Sequence, residues 1–79
     1  MMARVRFFGP LRDVTGTGVV EVEATSLREL TRTVALRYGD DFTAMLPTCR
    51  VWLNGDEANL NEMLNDGDEV AFLPPGSGG

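Results

Sequence analysis

One stretch of this chain keeps a helical period, and the stretches on either side of it alternate. Leu27, Leu30, Val34 and Tyr38 recur at helical spacing, which puts them on one face of an α-helix turned toward a core. Its start is marked by Ser26-Leu27-Arg28-Glu29. That is a capping box, with Ser26 accepting from the Glu29 backbone N–H while the Glu29 side chain reaches back. Gly39 supplies the left-handed stop. Before the helix, Arg4-Val5-Arg6-Phe7 and Val20-Glu21-Val22-Glu23 alternate polar and apolar, predicting two strands with Val5 and Phe7 inward. Gly9-Pro10 and Thr15-Gly16-Thr17-Gly18 punctuate the loop across which the two strands pair. After the helix, Phe42 to Leu46 adds a short turn that Pro47 ends. Arg50-Val51-Trp52-Leu53 is a third strand, closed by the tight-turn pair Asn54-Gly55. An irregular stretch holding Leu60, Met63 and Leu64 leads through the Asp66-Gly67 turn to Glu69-Val70-Ala71-Phe72-Leu73, a last strand with Val70 and Phe72 inward. The order strand, strand, helix, strand, strand predicts an α+β domain, a sheet with one main helix packed on one face.

The 79 residues make one domain without an internal linker, small enough to bury only roughly 60% of its unfolded surface. Its boundary falls after Pro75: residues 1–75 form the domain and 76–79 a flexible tail. Composition then removes whole classes of function. The chain has one cysteine, Cys49, and no histidine, so there is no internal disulfide framework and hardly any basis for a metal site. No apolar run reaches the roughly 20 residues of a membrane span, and Met1 to Pro10 does not read as a signal peptide. A cytoplasmic location is expected. All seven basic residues are arginines at or before Arg50, and six acids follow with no base among them. A net charge of −5 argues against nucleic acid, which needs basic patches. The acidic C-terminal third fits either a partner with a basic surface or simple solubility.

The end of the chain carries the chemistry. Pro74-Pro75 stops sheet pairing because neither residue donates a ladder hydrogen bond. Gly76-Ser77-Gly78-Gly79 follows, a run with little resistance to any backbone shape that spans about 14 Å when extended. A narrow tunnel in another protein admits such a run where bulkier residues collide. The carboxylate at its tip becomes an acyl donor once its oxygen is made a leaving group, as in an acyl-adenylate. A sulfur nucleophile then displaces AMP and leaves a thiocarboxylate. A frayed end or a Gly-Ser linker is the bland alternative for the same four residues.

The run Asp66-Gly67-Asp68-Glu69-Val70-Ala71-Phe72-Leu73-Pro74-Pro75-Gly76-Ser77-Gly78-Gly79 closely resembles the C-terminus of the small subunit of molybdopterin synthase and related ubiquitin-like sulfur carriers. Val5-Arg6-Phe7-Phe8-Gly9-Pro10-Leu11-Arg12-Asp13-Val14-Thr15-Gly16 is similar to that family's first strand and loop. The resemblance implies a β-grasp fold, a mixed sheet with its first and last strands parallel at the centre. It also implies that Gly79 is adenylylated by an activating enzyme that uses ATP and is then converted to a thiocarboxylate, with Gly78 fitting the partner's tunnel. Sulfur delivery in molybdopterin synthesis is the implied role, to a large synthase subunit. Thiamin thiazole, cysteine or a secondary metabolite are other acceptors, and a ubiquitin-like protein modifier is a further alternative. In each case the chain is a carrier rather than an enzyme by itself, and no cofactor is expected to stay bound. Many relatives have a bulkier residue where Gly76 stands, which leaves this tail looser.

Strand parity adds a docking surface. With Val5 and Phe7 inward, Phe8 turns outward, and Leu73 does so beside inward Phe72. Phe8 and Leu73 thus read as a partner-binding patch at the root of Pro74, Pro75, Gly76 and Ser77. Trp52 is outward by the same parity. Asp66, Asp68 and Glu69 read as turn and strand-edge solvation rather than a carboxylate cluster, and Cys49 as a buried or half-buried strand-end thiol rather than a persulfide carrier.

Overall fold

The computed structural model describes residues 1–75. Five strands form one mixed sheet in the order β2-β1-β5-β3-β4. Strand β1 (Met2–Phe7) pairs antiparallel with β2 (Val19–Glu23) and parallel with β5 (Glu69–Leu73), in a register that sets Val5 beside Val70 and Phe7 beside Phe72. On its other side β5 pairs antiparallel with β3 (Arg50–Leu53), which carries the two-residue edge strand β4 (Asp56–Glu57). First and last strands therefore lie parallel at the centre of the sheet, the β-grasp arrangement that the resemblance implied.

Helix α2 (Leu27–Tyr38) covers one face of this sheet and buries Leu27, Leu30 and Val34. These meet Val5, Val22, Val70 and Phe72 from the strands, all fully buried. Each such side chain contributes roughly 1.5 to 3 kcal/mol by leaving water, so the strand parity and the helix period describe two sides of one core. Ser26 caps the helix as expected, its hydroxyl accepting from the Glu29 N–H at 3.1 Å. The Glu29 carboxylate reaches one residue further back than a capping box requires and accepts from the Thr25 N–H at 2.6 Å.

Three local expectations are corrected. The segment after Gly9 is not a plain loop: Pro10–Thr15 is a helical turn and a half, α1, with Pro10 at its start and Gly16 in the left-handed conformation at its end. It exists to bury Leu11, which is fully enclosed. Gly39 has a positive φ of 87° but a ψ of −161°, so it is an extended hinge and not a left-handed cap. It joins α2 directly to α3 (Asp40–Met45), a helix where only a short turn was expected. Pro47 does not end that segment; it sits inside a 3₁₀ turn, Leu46–Thr48. The reason for α3 is Phe42, fully buried and edge-on to Phe7 at 5.6 Å and to Phe72 at 6.0 Å between ring centroids. Tyr38 joins the same cluster, 5.6 Å from Phe7. Edge-to-face pairs of this kind add about 0.5 to 1.5 kcal/mol each beyond burial. The cluster locks together the end of the sheet at which β5 finishes.

Candidate functional site

The expected working group, the Gly79 carboxylate, falls outside the described residues, as do Gly76, Ser77 and Gly78. What the structure does describe is the segment that precedes them in the chain. Strand β5 is central, hydrogen-bonded on both sides, and Phe72 within it is completely buried. One residue after β5, Pro74 is also buried, while Pro75 is exposed. The Pro74 ring packs against Gly9: a Cβ at Gly9 would lie 3.1 Å from the Pro74 Cγ, and Gly9 has a φ of +57°. A side chain at that position meets both a steric and a conformational objection. Gly9 reads in the sequence only as loop punctuation. Its contact with Pro74 becomes visible once β1 and β5 are known to be parallel, since only that register brings the end of β1 beside the end of β5.

Phe8 and Leu73 each lie one step beyond the paired Phe7 and Phe72, at the end where β5 gives way to Pro74. Phe8 is 42% exposed, a large apolar ring with no place in the core. Leu73 is half-buried on the outer side of the sheet, beside Arg50 of β3. Trp52 lies beside Ala71 on that same outer side. It is half-buried, and its indole N–H is shielded from water without an acceptor among the described residues. A buried unpaired N–H is costly. Pro74, also expected to take part in docking, is buried in this structure.

Around these apolar groups the outer face is charged and internally paired. Arg6 meets Glu69 at 3.1 Å and Arg50 meets Glu57 at 3.2 Å, while Arg4 and Glu21 approach to 4.0 Å. These are exposed pairs, worth little to stability, but they give the patch a polar rim. Asp66 and Asp68, expected only to solvate a turn, each accept a backbone hydrogen bond within the fold. The Asp66 carboxylate accepts from the Met2 N–H at 2.8 Å, and Asp68 accepts from the Asn65 N–H at 2.7 Å. Among the described residues no cluster of His, Cys, Asp and Glu is arranged to hold a metal ion. None of their helices is long and apolar enough to cross a membrane. Cys49 is half-buried just before β3, as its sequence context suggests.

Comparison with known proteins follows the same lines. The ThiS family matches residues 5–79. The chain is 33% identical over 82 residues to the molybdopterin synthase sulfur carrier subunit of Escherichia coli (strain K12), an alignment covering 99% of this chain and 100% of that protein. It is similar to a chain in the complex of subunits 1 and 2 of the molybdopterin-converting factor from Helicobacter pylori 26695, at 36% identity and a TM-score of 0.77 over 100% of both chains. SAMP1 from Haloferax volcanii superposes with a TM-score of 0.82 at 27% identity, again over 100% of both chains.

Proposed function

This chain belongs to the ThiS family, and from that premise we propose that it is a sulfur carrier whose Gly79 carboxylate is adenylylated and then converted to a thiocarboxylate. Residues 1–75 act as the handle and 76–79 as the arm. A partner enzyme supplies ATP and all of the catalysis. Attack of the Gly79 carboxylate on the α-phosphate of ATP releases pyrophosphate, and a sulfur nucleophile then displaces AMP from the acyl carbon. The carrier contributes a substrate group, a tail narrow enough at Gly78 to enter a tunnel, and a surface by which it is held.

The observation that carries this reading is the way the tail is rooted. A central strand, a buried Pro74 and an exposed Pro75 lead to it, and Phe8 and Leu73 stand at the same end. Binding at that patch aligns the arm with whatever site lies beyond it. The likeness to the Escherichia coli sulfur carrier subunit and to the Helicobacter pylori complex favours molybdopterin synthesis as the destination and a large synthase subunit as the acceptor. A cytoplasmic setting, where a lone thiol stays reduced, suits that chemistry.

A second reading draws on the likeness to a small archaeal modifier protein: the same adenylate forms an amide with an amine on a target. One experiment separates the two. The chain is incubated with its activating enzyme, ATP and a sulfur donor, and its intact mass is measured. A gain equal to sulfur replacing oxygen, absent when Gly79 is deleted, supports the carrier. Adducts with other proteins that survive reducing gels, without that gain, support the modifier. Neither product, with the enzyme active on another carrier, overturns both.

A further inference from the structure

The side chains that the carrier chemistry leaves unused include no lysine amine and no imidazole. Every basic residue is an arginine, and the 79 residues contain neither lysine nor histidine. A guanidinium stays protonated and offers no lone pair for attack near neutral pH. Two ordinary nucleophiles remain, the α-amine of Met1 and the thiol of Cys49. The Met1 amine is ion-paired with the Glu23 carboxylate, and the Met1 carbonyl is tied to the Ala24 N–H at 2.9 Å. The hydrogen bond to Glu23 raises this amine above its ordinary value. The Cys49 thiol is half-buried and donates to the Met45 carbonyl at 3.2 Å. Burial pushes it up, away from the thiolate form that attacks carbonyls.

We propose that this chain is organised to carry an activated acyl terminus without acylating itself or another copy, its lysine-free surface and its engaged Met1 amine and Cys49 thiol reserving that terminus for a nucleophile delivered by a partner enzyme. The proposal rests on the adenylylated-tail reading above. The side reaction it prevents is balanced and needs no oxidant. A lysine amine attacks the acyl-adenylate, a C–N bond forms, the acyl–phosphate C–O bond breaks, AMP leaves and a proton passes to water. The product is an amide, which no longer accepts sulfur. The danger is greatest near the root of the tail, because holding an amine beside an acyl group makes their reaction effectively unimolecular. Arg50 lies beside Leu73 in the sheet, with Cys49 immediately before it, so this end is where a lysine would do most harm.

The test uses the full chain carrying an alkyl thioester on Gly79, prepared by intein cleavage, as wild type, Arg50→Lys, Arg32→Lys and Glu23→Gln. Arg50→Lys, made together with Glu57→Gln so that the new amine has no carboxylate partner, puts a lysine at the root of the tail, Arg32→Lys places an amine on the exposed side of α2, and Glu23→Gln releases the Met1 amine. Circular dichroism establishes that each is folded, and intact mass and reducing gels follow the thioester at neutral pH. The expected result is hydrolysis alone for wild type. Arg50→Lys should form amide several-fold faster, as a cyclised monomer or a covalent dimer mapped to position 50. Arg32→Lys should yield dimer, and Glu23→Gln amide at Met1. If the lysine variants form no more amide than wild type, or wild type itself acylates Met1 or Cys49, the proposal is overturned. A parallel incubation of the free-acid proteins with the activating enzyme and ATP reads pyrophosphate release. Its absence from every protein sinks the adenylylated-tail reading and the proposal's biological premise, whereas the thioester arm alone judges self-protection.

Discussion

Asn54 holds more of the structure than its place in a tight turn requires. It and Gly55 both have positive φ, 51° and 89°, as a type I′ hairpin needs at its two central positions. Its side chain then bridges to the neighbouring strand: Oδ1 accepts from the Glu69 N–H at 2.9 Å and Nδ2 donates to Asp68 at 3.0 Å. Asn54→Gly, which keeps the turn but loses both bonds, should destabilise the fold by about 1 to 3 kcal/mol in urea titrations. The same contact sets a pH dependence. The Asn54 amide, and secondarily the Asn65 N–H, holds the Asp68 carboxyl below the usual aspartate range. A group depressed in the folded state stabilises above its unfolded value, about 3.9, and that contribution is lost as pH falls through the folded value. The stability gap between wild type and Asp68→Ala, open at about pH 7, should therefore narrow toward about pH 3; a gap constant with pH would contradict this assignment. At Gly9 the objection is steric and conformational together. Gly9→Ala should lower stability by roughly 1 to 2 kcal/mol, and Gly9→Ala with Pro74→Ala should recover the part due to the 3.1 Å approach, leaving the part due to φ.

Among the elements, those with a long period or a strict alternation were legible and the short ones were not. Helix α2 shows three buried residues at helical spacing and a capping serine. Strands β1 and β5 alternate over their whole length, so their inward residues follow from sequence. Helices α1 and α3 have six residues each, too short for a period to declare itself. Pro10 and Gly16 nevertheless mark the two ends of α1 in the order that helices favour, a signal present in the sequence and read there as loop punctuation. Helix α3 has no such marks, because its N-terminus uses Gly39 with no capping side chain. It forms since Phe42 gains a place in the aromatic cluster, a tertiary cause that local sequence does not display. The two kinds of helix should respond differently to mutation. Ser26→Ala removes one capping bond from a helix well anchored elsewhere and should cost about 1 kcal/mol. Phe42→Ala removes the reason for α3 and empties the cluster, so about 3 to 5 kcal/mol is expected, with loss of near-ultraviolet aromatic dichroism.

At the scale of the whole molecule, the proposed function assigns binding and chemistry to separate parts. Alternation along β1 and β5 is enough to nominate Phe8 and Leu73, but only the parallel pairing of the two strands brings them to one end, and a pairing between residues so far apart in sequence leaves no local trace. That separation makes the two functions independently removable. Deleting residues 76–79 leaves every described core residue in the chain, so thermal stability should stay close to wild type while thiocarboxylate formation should be abolished. Phe8→Ala does the converse. The ring is 42% exposed, so the change should alter stability by no more than about 0.5 kcal/mol, as for surface substitutions elsewhere. Its effect should appear in recognition, because a partly exposed aromatic ring at a docking surface loses its contact area when truncated. In an adenylation assay with increasing carrier, Phe8→Ala should raise KM for the carrier with kcat little changed, since the Gly79 carboxylate still reaches the same site once bound. A fall in kcat at unchanged KM would instead mean that Phe8 aligns the bound tail, and would move it from the handle to the arm.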